Sequence, residues 1–394
     1  MFKRTRPMKF MRSSSAVLLT FLSLLISVNA TPLATVEAST VSQTKAQLAD
    51  EEKIKNVINA YFKLRYEGQK LLKAQDFSYL LADKNRNWVQ AEKDKREIEL
   101  YVASAYNLNY MSYQYTLDYE SIQISLGQAT VHLREGHEVV FAALAPEVSR
   151  MANLEHIITL TQTKNDWKIL DDEYQDELTR LMAEKNKDVI IEQVRLNYAA
   201  DAQQVRSSVF HSHNLARLAY QRALTSHSYN RIAAIQYADY WATKRNVTTY
   251  HNETNNDCTN YVSQALYEGT SHTMSTPDNY MTKWYYDFPS HSGSYPWVNV
   301  DGLRSFLLNN YSNGGRGPKG INLQSMCSLQ PGDVVQLRNG SIWFHTVIIV
   351  VKLNSSCSEA SFLYDAHDVD RFHYPLSYLS SYTKRYTAVV GWND

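Results

Sequence analysis

Asn255-Asn256-Asp257-Cys258-Thr259-Asn260-Tyr261-Val262-Ser263-Gln264-Ala265-Leu266-Tyr267-Glu268-Gly269 predicts a helix with a thiol in its first turn. Asn256 and Asp257 are N-cap residue types, Val262, Ala265 and Leu266 recur at helical spacing, and Gly269 supplies the stop. Unpaired backbone N–H groups and the positive end of the helix dipole favour thiolate over thiol, and thiolate is the attacking form. Cys258 is therefore a candidate nucleophile.

Downstream of this helix the chain turns to strands. Pro331-Gly332-Asp333 leads into Val334-Val335-Gln336-Leu337, and Asn339-Gly340 is a two-residue hairpin signal before Trp343 to Val351. The period of two puts His345, Val347, Ile349 and Val351 on one face, and Leu363, Asp365 and His367 on one face of a further strand, Ser361 to His367. Tyr386 to Trp392 reads as the last strand. Cys258, His345 and His367 then supply nucleophile, base and orienting group, with Asp365 the alternative third residue and Asp368 adjacent. Imidazole titrates near neutral pH unaided, which suits His345 to the base role. The N–H of Cys258 is one candidate oxyanion donor. The Gly-rich segment Asn313 to Gly320 lacks Walker spacing and reads as a connection.

Upstream, Ser228 or Asn230 caps a helix whose inner face carries Ile232, Ile235, Ala238, Trp241 and Ala242. Residues 178–227 hold no Gly or Pro and read as a helical connector with an apolar stripe to bury. Residues 51–177 begin with an amphipathic helix through Ile54, Ile58, Tyr61 and Phe62, then a Tyr-rich helical stretch. The runs 119–126, 129–134, 138–142 and 156–163 and the stretch Trp167 to Leu170 after an Asn165-Asp166 turn read as strands. Helices followed by a curved antiparallel sheet make an α+β class in both halves. The acidic cluster Asp171, Asp172, Glu173, Asp176 and Glu177 lacks calcium-loop spacing and reads as a solvated charge run.

Of the 394 residues, the first thirty carry five basic and no acidic side chains ahead of the apolar run Ala16 to Val28, and Val28-Asn29-Ala30 offers small residues for cleavage. Residues 1–30 read as a secretory signal peptide, with no membrane span once it is removed, and 31–50 as a flexible spacer. Cleavage changes 40 basic against 40 acidic residues to 35 against 40, a net charge of −5. A mildly acidic exported chain lacks the basic footprint of a nucleic-acid binder. Of three cysteines, Cys327 and Cys357 flank a strand pair; their union would leave Cys258 free, the alternative being three reduced thiols.

Residues 228–394 resemble the putative amidase domain of exported Gram-positive bacterial proteins. The resemblance rests on Tyr229 to Trp241, Asn256 to Gln264, Gly332 to Leu337, Trp343 to Ile348 and Ala366-His367. That family is similar to the NlpC-type and CHAP peptidases of the papain-like class, which implies a papain-like fold with Cys, His and a third polar residue in that order. The NlpC pattern favours histidine, hence His367, in the third place. It implies amide hydrolysis, with a peptide or peptidoglycan-like substrate by analogy and a secreted or wall-associated location. Residues 51–177, by order of elements and the run Leu160 to Tyr174, resemble the nuclear-transport-factor-like cone. No cofactor or metal is expected. A zinc amidase built on His345, His367 and a carboxylate or Cys258 lacks a closely spaced ligand pair. A catalytically silent wall-binding or scaffolding protein is the non-enzymatic alternative, and acyl transfer the alternative to hydrolysis.

Overall fold

The computed structural model describes residues 34–82, 86–164, 166–208, 227–251, 253 and 257–394, without the side chains of 34–46, 86 and 206–208. The expected signal peptide, the Asn256 cap, the turn at Asn165 and residues 209–226 of the expected connector lie outside these. The described residues divide at Leu48/Ala49 into a short unit and a larger one, Ala49–Asp394, which is compact. Helix α1 runs Ala34–Leu71, so the described part of the expected spacer is helical; residues 34–50 hold no Gly or Pro and several good helix formers.

In the larger unit, Ile54, Ile58, Tyr61 and Phe62 of α1 are fully buried at the spacing of one helical face. Helix α2, Arg86–Tyr106, is held to α1 by a hydrogen bond from Tyr61 Oη to Glu92 (2.8 Å). Strand β1 spans Tyr110–Ser125, β2 Gln128–Phe141, β3 Ser149–Thr163 and β4 Asp166–Glu173. The Tyr-rich stretch expected to be helical turns to strand at Tyr110, because Tyr113 and Tyr115 alternate with polar residues and stack on Tyr66 of α1. On β2 the inward face runs Ala129, Val131, Leu133, Glu135, His137, Val139, Phe141, all buried. It carries two polar residues into the core. They are satisfied there: Tyr66 Oη contacts Glu135 (2.6 Å) and His137 Nδ1 (2.7 Å), and His156 contacts Asp172 (2.8 Å) and Glu135 (3.1 Å).

Helices α3, Glu177–Met182, and α4, Lys187–Ser208, follow. The buried stripe of α4, with Ile190 and Val194, packs mainly on α2 and α3, and near its end Asp201 reaches the C-terminal half, accepting from Ser358 Oγ (2.8 Å) and from the Glu359 N–H (3.1 Å). The remaining elements are α5 (Arg231–Trp241), α6 (Asp257–Gly269), short β5 and β6 (Tyr286–Asp287, Ser292–Gly293), α7 (Tyr295–Val298) and α8 (Val300–Asn313). The last strands are β7 (Gly317–Leu323), β8 (Val334–Asn339), β9 (Ile342–Lys352), β10 (Phe362–Ala366), β11 (Asp370–Pro375) and β12 (Thr383–Asn393). The Asn339-Gly340 hairpin joins β8 to β9 as expected, with Gly340 at φ 54°. The Gly-rich connection ends sooner than expected, since Gly314 at φ 67° caps α8 and β7 starts at Gly317.

Ten antiparallel strands form one sheet among the described residues, ordered β1-β2-β3-β11-β10-β9-β8-β12-β7 with β4 on β3. The junction between the two halves is a strand pair, Asp370, Arg371 and Phe372 of β11 opposite Ala152, Met151 and Arg150 of β3. Helix α6 packs on β9 and β10 and on α5, so the thiol-bearing turn faces the strands that carry the histidine. Cys327 and Cys357 form a disulfide with Cα atoms 4.6 Å apart, and Cys258 is free and buried.

Candidate active site

Asp257 opens α6 and is buried, with Asn260 Nδ2 donating back to its Oδ1 (2.7 Å) and Trp297 Nε1 donating to Asn260 Oδ1 (2.8 Å). These bonds fix the first turn. Cys258, next in line, is 2 % exposed, with Thr259 Oγ1 3.8 Å from its Sγ. Thr259 Oγ1 in turn lies 2.9 Å from Thr346 Oγ1 on β9, one residue beyond His345. The hydroxyl pair pins the helix start to the strand.

The structure brings Cys258, His345 and Asp368 together: one ligating atom of each lies within 4.8 Å of the other two. His345 Nδ1 stands 3.6 Å from Asp368 Oδ2, beyond a hydrogen bond but close enough for charge to act, and His345 Nε2 is buried without a hydrogen-bond partner. Asp368 Oδ1 accepts the Asp257 N–H at 2.8 Å, so this carboxylate occupies the helix start as a cap from a distant segment. Burial opposes the ionised form of Asp368, yet His345, Arg180 and the Asp257 N–H together hold its pKa below the usual carboxylate value. Burial, and next the charge of Asp368, push the Cys258 thiol well above its usual range. The expected resting thiolate is thus not favoured in this closed site; desolvation outweighs the helix terminus. A cleft of about 180 Å³ opens beside the cluster, lined by His345, Asp368, Val369, Phe344, Glu177 and Arg180.

The two residues expected in the third place stand elsewhere. His367 is held at both ring nitrogens, Nδ1 against Asp257 Oδ2 and Nε2 donating to the Trp241 carbonyl (2.8 Å), and it stacks on Tyr261. Asp365 is fully buried, accepts the His373 N–H at 2.6 Å and groups with Asp239 and His373. The reason is local. Strand β10 ends at Ala366 and the chain turns, with Asp368 at φ 88°, so alternation no longer decides which side chain faces His345. Arg245, which sequence reasoning passed over, binds Asp257 (3.0 Å) and Asp370 (2.7 Å) beneath the helix start. No spacing signal marks it. Cys258, His345 and Asp368 are also a possible donor set for a metal ion, whereas His367 is not among them.

Residues 228–390 match the family model described as "Putative amidase domain". Over 126 residues, 32% of the chain, the sequence is 32% identical to "Uncharacterized protein YhbB" of Bacillus subtilis (strain 168), and the chain spans 38% of that protein's length. Among solved structures it is similar to "Kfla4162 protein from Kribbella flavida", 12% identical with a TM-score of 0.25, covering 33% of this chain and 93% of that one. Among the described residues, no helix is long and apolar enough to cross a membrane.

Proposed function

We propose that the protein hydrolyses an amide bond through Cys258, with His345 as general base and acid and Asp368 as the group that orients and stabilises the imidazolium. The observation that carries this reading is the meeting of thiol, imidazole and carboxylate within 4.8 Å at a helix start, inside a segment matching an amidase family. The thiol proton passes to the His345 ring as sulfur attacks the substrate carbonyl carbon. The tetrahedral adduct collapses to a thioester when the amine leaves with that proton. Water, deprotonated by His345, then cleaves the thioester, releasing the acid and restoring the thiol. Because the resting sulfur is a buried thiol, substrate entry must accompany proton transfer: the bound carbonyl makes the ion pair productive.

A cell-wall peptide is the proposed substrate class. Arg180 at the cleft offers a partner for a peptide carboxylate. The disulfide supports export, since such bonds persist in oxidising compartments. In this reading the N-terminal half is a cone-like accessory module. Brief alkylation at limiting reagent, followed by mass spectrometry and assay on purified wall fragments, tests the mechanism. The expected result is labelling of Cys258 with parallel loss of cleavage, in the absence of any dependence on added zinc. Full cleavage by a folded Cys258→Ala variant overturns it, and a folded wild type that never cleaves favours a silent binding protein.

A further inference from the structure

A second constellation lies outside the cysteine site. Asp239 on α5, Asp365 on β10 and His373 on β11 offer one ligating atom each, all within 4.8 Å of one another. His373 Nε2 stands 3.1 Å from Asp239 Oδ1, and on the other side of the ring Glu147 Oε2 lies 3.9 Å from Nδ1. Asp365 is 0% exposed; its Oδ1 accepts the His373 N–H, and its Oδ2 is buried with no hydrogen-bond partner. An orphaned carboxylate oxygen is costly in the interior unless something positive meets it. Asp239, whose charge has the same sign, acts on it; burial, then that charge and a hydrogen bond between the two carboxyls when one is protonated, hold the Asp365 carboxyl well above its usual range. The side chains of Asp239 and His373 are 34% and 16% exposed, so the cluster has a face open to water.

We infer that Asp239, Asp365 and His373 form a binding site for a divalent metal ion. Two carboxylate oxygens and one imidazole nitrogen, with water in the open position, suit Zn²⁺ or a similar first-row ion better than Ca²⁺, which takes oxygen donors alone. Nε2 is the ligating nitrogen, and the Glu147 carboxylate lies across the ring, too far from Nδ1 for a direct hydrogen bond but near enough for its charge to act. The ion satisfies the orphaned oxygen of Asp365 and lets both carboxylates ionise. It also fastens α5 to the β10–β11 pair close to where β3 joins, since Ser149 Oγ of β3 donates to the His373 carbonyl at 2.7 Å. The bland account of the same atoms is a proton shared by two carboxyls.

The test is a titration of the chelator-stripped chain with Co²⁺, and with Zn²⁺ in competition, in a Cys258→Ala background that removes the other donor set. One equivalent is expected to bind with a nitrogen–oxygen cobalt spectrum lacking any thiolate charge-transfer band, and Zn²⁺ is expected to raise the melting temperature. Asp239→Asn and His373→Gln, each at a partly exposed side chain, are each expected to weaken binding at least tenfold. Near-UV circular dichroism checks that they fold, and if one does not, the other supplies the reading. No binding by the Cys258→Ala chain, or an affinity in both variants unchanged from that chain, overturns the site and leaves the shared proton. Amide cleavage is not read, so this result is independent of the proposed hydrolase activity.

Discussion

At the scale of single residues, the third member of the cysteine site separates two readings that the structure makes testable. Asp368 faces His345, whereas His367 is spent on Asp257 and the Trp241 carbonyl. On the proposed mechanism, Cys258→Ala abolishes cleavage and His345→Ala lowers kcat by about 10²–10⁴-fold, the usual worth of a positioned base. Asp368→Asn is expected to lower kcat and flatten the pH–rate profile without changing KM. His367→Gln should instead lower stability and leave kcat within a few-fold, because it loosens Asp257 and Tyr261 without touching the imidazole. Steady-state kinetics beside thermal melts distinguish them: a His367 variant that folds as wild type yet loses kcat as Asp368→Asn does would restore the histidine as the orienting group. Sequence reached Cys258 and His345 because a capped helix and a strand with clean alternation each fix a side chain locally. Asp368 was legible only as a neighbour of the expected third residue, because its direction depends on a turn after β10 and on a backbone at φ 88°, which no periodicity encodes.

At the scale of elements, α5 is anchored by chemistry that resembles a motif of function but acts in the fold. Arg231 donates to the Pro331 carbonyl (2.7 Å), to Asp333 Oδ1 (2.8 Å) and to the Val389 carbonyl (2.8 Å), while Asp333, fully buried, also accepts from the Gln330 and Val389 N–H groups. The Gly332-Asp333 pair is thus a joint between helix and sheet. Arg231→Ala strands a buried carboxylate and is expected to cost about 3 kcal/mol, read as a lower urea midpoint with unchanged m. Strands and helices with a uniform apolar period were legible: α8, β8, β9 and β12 lie close to where alternation put them. Strand β2 was read as two pieces because charged residues interrupt it at Arg134–His137, and only the tertiary network of Tyr66, His156 and Tyr374 shows why Glu135 and His137 can point inward. Strand β11 was invisible: Asp370-Arg371-Phe372-His373 carries no apolar alternation, and its pairing is set by β3 and β10.

At the scale of the larger unit, the sheet runs through the boundary at which the sequence suggested two separate modules. A fragment of residues 228–394 loses β3, leaving β11 with an open edge, and loses Glu177, the partner of the buried Arg371 guanidinium at 2.9 Å. Size-exclusion chromatography is expected to show it as larger assemblies than the chain from residue 49 forms, and a well-behaved monomeric fragment would speak for independent modules. The polar core sets the pH response. Burial pushes His137 down to about 3, so below the unfolded value near 6.5 the unfolded chain takes up a proton that the folded one refuses, and stability falls with pH. Burial also opposes the His156 cation, but Asp172 and Glu135 outweigh it and raise its pKa to about 9. Its contribution is complete below 6.5 and lost as pH rises through about 9. Stability should therefore peak near neutrality, with a loss of about 2 kcal/mol between pH 6.5 and 5 from His137 alone. Denaturant melts across pH check this: His137→Gln should flatten the acid limb and His156→Gln the alkaline one.

The union of Cys327 with Cys357 leaves the chain with one thiol, and that thiol lies under cover at the centre of the site. The native protein is in consequence a ready-made single-label reporter. A fluorophore or mass tag would sit at Cys258 without any engineered change, and the rate at which reagent arrives, once it stops rising with reagent concentration, is the rate at which the molecule breathes open.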